Sequence, residues 1–154
     1  MMQVLKLDDL VRGLELSLRQ LLVYLNPTTG QVAAITPEAF HAAEKGGSDS
    51  GKGWEQMETR LAAEILDNAD WMRLPTRQDV DEYDIMHRFV RNVVVNEAKI
   101  DELNRVLQSG LAERRWEMVV TGLNLADDWQ RFRRQMFRRA MKNWCAIHEL
   151  DYEE

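Results

Sequence analysis

A long amphipathic helix near the end of the chain constrains the fold more than any other segment. Apolar residues recur every three or four positions from about Asn124 to His148, which predicts one continuous helix. Its apolar stripe contains two of the five tryptophans and consists of Leu125, Trp129, Phe132, Met136, Phe137, Ala140, Trp144 and Ile147. A stripe of this width must be buried against other elements, so we expect a largely helical core.

The opposite face of this helix is basic. Residues 110–148 carry 8 basic and 4 acidic side chains, although the whole chain has a net charge of −6. A solvated face is the ordinary interpretation of such a charge pattern. The alternative is a surface that binds nucleic acid or an acidic partner, and its candidate residues are Arg131, Arg134, Arg138 and Lys142. Nucleic-acid binding there would weaken with salt and collapse when all four become glutamine.

Arg133 departs from this pattern, because the helical repeat places it inside the apolar stripe between Trp129 and Phe137. An unpaired guanidinium is very costly in an apolar environment. We therefore expect Arg133 to pair with a carboxylate of the core or of a second subunit, or to stack on an aromatic ring.

The first part of the chain predicts a helix followed by a small sheet. Apolar residues at helical spacing run from Leu7 to Leu21. Two apolar segments, Leu21–Leu25 and Gln31–Ile35, flank a turn that contains Asn26, Pro27 and Gly30, which predicts a β-hairpin. The segment Asp70–Pro75 is too short for a helix and predicts a third, edge strand.

The remaining segments predict helices. Thr36 and Pro37 are typical of a helix start, and another helix is expected from Trp54 to Asp67. Thr76 and Asp79 resemble a capping box, which predicts a helix from Thr76 onward, and Asn96 and Asn124 are predicted caps of later helices. Gly110 is predicted to end the helix that Asn96 begins.

Together these segments predict an α+β fold that is predominantly helical. A small antiparallel sheet of two or three strands would pack against a bundle of five to seven helices. We expect a single domain over residues 1–154, with a flexible glycine-rich loop at about 45–53 and an acidic tail at 149–154. The Gly-Lys pair in that loop lacks the spacing of a phosphate-binding P-loop.

Composition narrows the class of protein. Apolar runs of only a few residues cannot span a bilayer, and acids at the N-terminus do not fit a signal peptide. A single cysteine, Cys145, fits a reducing cytoplasm, where we expect the protein to reside. No catalytic, dinucleotide or paired-cysteine zinc motif is present, so we predict no metal and no cofactor.

His87 is the candidate for catalysis, because carboxylates lie just upstream of it. The helical repeat, however, places it on the apolar face between Val80 and Val94, and pairs Asp84 with Arg88 instead. We therefore predict a buried, hydrogen-bonded histidine rather than a general base or metal ligand. Cys145 is predicted to be a half-buried, unreactive thiol.

Three landmarks occur in order along the chain: Tyr24–Val32 with its Thr29-Gly30 turn; Trp71–Thr76 followed by Tyr83, Met86 and Phe89; and Trp129–Arg133 leading to Trp144. In these landmarks the chain resembles the bacterial group called uncharacterised protein family 0158. The resemblance covers roughly residues 20–36 and 69–150. It implies a small cytoplasmic bacterial α+β protein, and it carries over neither an activity nor a catalytic residue.

Three functions fit the sequence. The favoured hypothesis is a non-enzymatic interaction or regulatory module that binds a protein partner or a second copy of itself as a homodimer. The second is a nucleic-acid-associated factor that uses the basic face, and the third is a hydrolase-type enzyme centred on His87. No membrane role is expected.

Overall fold

The structure, a computed structural model, describes residues 5–45 and 53–154. This part of the chain contains seven α-helices and a three-stranded antiparallel sheet, which confirms the predicted α+β, mainly helical class. The glycine-rich loop predicted at about 45–53 lies, apart from its two end residues, outside the described residues.

The chain divides into two compact units. Unit 1 comprises Met1–Asp79 and Ala140–Glu154, and unit 2 comprises Val80–Arg139. Unit 1 contains β1 (Leu5–Lys6), α1 (Leu7–Ser17), β2 (Leu22–Asn26), β3 (Gln31–Ile35), α2 (Pro37–Glu44), α3 (Gly53–Asp67), β4 (Met72–Arg73) and β5 (Tyr152–Glu153). Unit 2 contains α4 (Glu82–Asn92), α5 (Glu97–Gln108) and α6 (Ala112–Gly122). The last helix, α7 (Ala126–Ile147), begins in unit 2 and ends in unit 1.

The sheet of unit 1 has the strand order β3–β2–β4, so the predicted hairpin and the predicted third strand are both confirmed. Its turn forms because Asn26 Oδ1 accepts the backbone N–H of Thr28 at 3.0 Å. Gly30 takes a φ of 77°, which a side chain would disfavour, and its N–H donates to the carbonyl of Asn26. β4 joins β2 with Tyr24 opposite Arg73.

Helix α1 covers one face of the sheet at close range because Gly13 has no side chain. A Cβ atom at this position would lie 2.7 Å from Cδ1 of Leu74 and 3.1 Å from Cγ1 of Val32. Leu74 and the neighbouring Val23 are both buried. Gly13 therefore sets the distance between α1 and the sheet.

Helices α2 and α3 pack together over the other side of the sheet. Their shared core consists of Ala33, Ile35, Ala39, Ala62, Ile65 and Trp71. At its margin the rings of Tyr24 and Phe40 stack with centroids 5.9 Å apart. Thr36 caps α2 as predicted, by accepting the N–H of Ala39, while its own N–H donates to Glu58 Oε1 of α3 at 2.7 Å.

The acidic tail forms a strand that the sequence did not predict. β5 pairs with β1 in parallel, with Leu5 opposite Tyr152 and Lys6 opposite Glu153. Leu5 is buried, and the C-terminal Glu154 contacts the ammonium group of Lys142. The tail is therefore part of unit 1.

In unit 2 the boundaries of α5 agree with the sequence prediction. Asn96 caps the helix by accepting the N–H of Lys99 at 3.1 Å. Gly110, with a φ of 76°, follows its end and allows the chain to turn into α6.

Two other predicted helix starts are wrong. Thr76 and Asp79 do bond to each other, with the N–H of Thr76 donating to Asp79 Oδ2 at 2.9 Å, but they close an isolated turn. Helix α4 begins only at Glu82, and Asp81 caps it by accepting the N–H of Asp84. Asn124 ends α6 instead of capping α7, because it adopts a φ of 61° after the last turn.

An aromatic cluster forms the core of unit 2. The ring of Phe89, on α4, lies 5.3 Å from Trp129 of α7 and 6.2 Å from Trp116 of α6, measured between centroids. Phe132 contributes a fourth ring, 5.7 Å from Phe89. The indole N–H of Trp129 donates to Glu117 Oε1 at 3.1 Å, so this large side chain is buried with its polar atom satisfied.

Candidate functional site

Helix α7 buries residues spaced four or eight positions apart, and this row differs in part from the predicted stripe. Trp129 and Phe137 are buried in unit 2, and Met141 and Cys145 are buried in unit 1. A row spaced by four residues moves about 40° around a helix at each step, because a turn contains 3.6 residues. The predicted inward position of Ile147 is therefore wrong: its side chain is 68% exposed.

The candidate basic residues remain on the surface of α7, in different local environments. Arg134 is exposed, and Arg131 lies 3.6 Å from Asp128 in an exposed pair of the kind that contributes little. Arg138 is partly buried. Lys142, in unit 1, contacts the carboxylate of Glu154. Binding of nucleic acid or of an acidic partner by these four residues stays a prediction.

Arg133 contacts both a carboxylate and an aromatic ring, the two kinds of neighbour predicted for a cation inside the apolar stripe. Its Nε lies 3.5 Å from Glu82 Oε2, and the two side chains are only 21% and 28% exposed. The guanidinium carbon also lies 4.4 Å from the centroid of the Phe137 ring. Glu82 is the first residue of α4, so this pair links two helices of unit 2. A role for Arg133 at an interface with a second subunit stays a prediction.

We expect Arg133→Met to lower the free energy of unfolding by about 1–2 kcal/mol, because it leaves Glu82 partly buried without its cation and removes the contact with Phe137. Arg131→Met is the matched control on the same helix, and the loss of its exposed pair should cost no more than about 0.5 kcal/mol. Urea unfolding of both variants and of Glu82→Gln measures the difference. Equal stability of the two arginine variants would refute the structural role of Arg133.

His87 is half-buried rather than buried as predicted, and the ring of Tyr83 meets its ring edge-on at 4.6 Å between centroids. The phenol of Tyr83 donates to the carbonyl of Leu107 at 2.7 Å. Asp84 pairs with Arg88 at 2.8 Å, as the sequence predicted. Within the described ranges no group of three or more His, Cys, Asp or Glu side chains is arranged to hold a metal ion. The hydrolase role of His87 stays a prediction.

Cys145 is more deeply buried than the half-buried thiol that the sequence predicted, with no exposed surface. Burial raises the pKa of its thiol, because the charged thiolate is disfavoured away from water. A thiol in this environment stays protonated and is a poor nucleophile.

A groove in unit 2 was not predicted from the sequence. It has a volume of about 290 Å³ and lies where the start of α4 meets the turn between α5 and α6. Tyr83 and Leu111 provide apolar surface, and Arg114 provides a cation. We call it the Tyr83 groove. The signal that could have indicated it is Leu111, an apolar residue between Gly110 and the first turn of α6, where a polar capping residue is usual.

Comparison with known proteins gives no relative: no family model, curated protein or solved structure matches the chain. None of the helices in the described ranges is both long enough and apolar enough to cross a membrane.

Proposed function

We propose that the chain is a non-enzymatic interaction module that binds an acidic, apolar segment of a protein partner in the Tyr83 groove. The observation that supports this function is a concave surface that combines an exposed aromatic ring, an exposed leucine and an arginine. Tyrosine and arginine are among the residues that contribute most to protein–protein binding.

The apolar wall of the groove is both accessible and held in place. Tyr83 is 47% exposed and Leu111 is 41% exposed, so both would lose contact with water when a partner binds. The hydrogen bond from the phenol of Tyr83 to Leu107 fixes the ring in one orientation. A preorganised ring loses little conformational entropy on binding, which favours affinity.

Two features of the groove favour a carboxylate on the partner, although its lining also contains one acid, Glu113, which has an interaction of its own. Arg114 lies in the same lining, and α6 begins here without a side-chain cap on its first N–H groups. The N-terminus of a helix carries partial positive charge, and the guanidinium adds a full one. A leucine or phenylalanine beside an aspartate or glutamate on the partner would match the apolar wall and this cationic end.

The test is a selection of peptides from a random library on the full chain, followed by measurement of their affinities in solution. We expect the selected peptides to place an apolar residue beside an acidic one. Leu111→Ser and Arg114→Gln should each weaken binding about tenfold, or about 1.4 kcal/mol. Serine suits the N-cap position, so the Leu111 variant should fold normally.

Val95→Ser and Arg91→Gln are the matched controls, because both residues are exposed in unit 2 outside the groove lining. They should leave the affinity unchanged. Selected peptides that are basic, or that bind the groove variants as well as the unchanged chain, would contradict the proposal. Capture of nucleic acid that is lost in the glutamine variants of Arg131, Arg134, Arg138 and Lys142 would favour the second hypothesis instead.

Sedimentation distinguishes self-association through the same groove from binding of a different protein. If the chain forms a homodimer that dissociates in Leu111→Ser, the partner that the groove binds is a second copy of the chain. A cytoplasmic location and the relationship to uncharacterised protein family 0158 remain part of the proposal. They are supported by the single cysteine and by the three sequence landmarks.

A further inference from the structure

A second concavity, of about 360 Å³, lies in unit 1 and shares no residue with the Tyr83 groove. It forms where the connection from α1 to β2 meets the segment that follows β4. We call it the Arg73 depression. Its lining includes Gln20, Leu21, Leu22, Arg73 and Gln78.

The backbone around the Arg73 depression is held by buried and local hydrogen bonds. Ser17 Oγ donates to the carbonyl of Pro75 at 2.8 Å, which ties the end of α1 to the segment after β4. The N–H of Leu74 donates to the carbonyl of Val23 at 3.0 Å. Gln20 adopts a φ of 69°, a left-handed backbone conformation that residues other than glycine rarely adopt. The two lining segments are therefore fixed relative to each other.

Some polar side chains of this lining are already hydrogen-bonded within the chain, and others are not. The hydroxyl of Ser17 is used by Pro75, and the hydroxyl of Thr76 donates to Asp79 Oδ2. By contrast, the side chains of Gln20, Arg73 and Gln78 have no hydrogen-bond partner among the described residues. These three side chains present N–H donors to one concave surface.

We propose that the Arg73 depression binds the phosphoryl group of a small molecule, with Leu21 and Leu22 contacting the apolar part of that ligand. Planar guanidinium groups bind phosphate oxygens in pairs, and arginine is favoured wherever such recognition matters. The two partly buried leucines offer apolar surface beside the donors. The volume lies at the lower end of the range that is usual for small-molecule sites.

A phosphoryl group fits this lining better than a carboxylate does. The guanidinium of Arg73 and the carboxamides of Gln20 and Gln78 supply more donors than the two oxygens of a carboxylate can use, whereas a phosphate monoester has three terminal oxygens. Asp79, which is bonded to Thr76 of the lining, accepts hydrogen bonds from both the N–H and the hydroxyl of Thr76. Its charge is thus partly stabilised within its own turn.

The test is titration calorimetry of the full chain with phenyl phosphate, and with benzoate at the same ionic strength as the carboxylate comparison. We expect phenyl phosphate to bind and benzoate to bind at least about tenfold more weakly. Arg73→Gln should weaken the binding of phenyl phosphate about tenfold or more, because it removes a charged donor from the site. Arg73 is exposed, so the variant should keep its fold, which circular dichroism verifies.

Arg12→Gln is the matched control, since Arg12 is an exposed arginine of unit 1 that does not line the depression. It should leave the affinity unchanged. The proposal is overturned if phenyl phosphate does not bind, if both arginine variants bind it equally well, or if benzoate binds as tightly.

Discussion

Replacing Phe89 with alanine is expected to lower the free energy of unfolding by about 3–5 kcal/mol, the range for removing a buried phenylalanine. The ring is fully buried and contacts three other aromatic rings, those of Trp116, Trp129 and Phe132. Alanine would leave a cavity among rigid rings that cannot easily close it. Urea unfolding monitored by tryptophan fluorescence measures the loss, and the emission should also change because both tryptophans line the cavity.

Phe40→Ala is the control for this variant. Phe40 is only half-buried and contacts one other ring, that of Tyr24, so the same substitution should cost less than about 2 kcal/mol. A loss below about 1 kcal/mol at Phe89 would mean that the aromatic cluster does not support unit 2.

Gly13→Ala is expected to destabilise the chain by about 1–3 kcal/mol, although alanine is the better helix former by about 1 kcal/mol. The added methyl group would lie 2.7 Å from Cδ1 of Leu74, so either the Leu74 side chain or helix α1 must shift. Leu74 is buried, so a shift of its side chain disturbs the packing around it, and a shift of α1 away from the sheet loses apolar contacts along the helix. Thermal and urea unfolding both report the change.

The chain contains a matched control for this substitution. Gly122 is also helical, in the last turn of α6, but a Cβ atom there would meet nothing within 4 Å. Gly122→Ala should therefore leave stability unchanged or raise it by up to about 1 kcal/mol. Similar effects of the two substitutions would show that helix propensity, and not the close approach of α1 to the sheet, decides the outcome at Gly13.

The sheet was predictable because its signals are local. Asn26 and Gly30 supply a side-chain acceptor and a positive φ within one short turn, so the hairpin follows from a few adjacent residues. The edge strand followed from its length and from the proline after it. The fold class and the order of the three antiparallel strands depend on such short-range signals, and both were predicted, whereas β1 and β5 were not.

Helix boundaries were less predictable because neighbouring polar residues compete for the same role. Thr76 and Asp79 form the hydrogen bonds of a capping box, yet Asp81 lies close behind and caps the helix that is present. Asn124 could accept N–H groups at the start of α7 or take a left-handed φ at the end of α6. The second option satisfies the last carbonyls of α6, since the N–H of Leu125 donates to the carbonyl of Val120.

The two concave surfaces could not be predicted from sequence patterns, for a different reason. The Arg73 depression joins residues near position 20 with residues near position 75, and no periodicity connects them. The Tyr83 groove brings the start of α4 to the end of α5 in the same way. By contrast, Arg133 was noticed because one charged residue interrupts an apolar stripe within a single helix. Local patterns can expose an exception of that kind, whereas cavities depend on long-range contacts.

The parallel pair of β1 and β5 closes a loop that contains almost the whole chain. Joining such distant segments costs conformational entropy unless the intervening residues are already ordered. Two short strands cannot offset that cost alone, so we expect this pair to form after the rest of unit 1 during folding. The distance between residues 5 and 152 during folding therefore reports when β1 and β5 pair. Dyes attached at the exposed neighbours Lys6 and Glu153 would report that step by energy transfer.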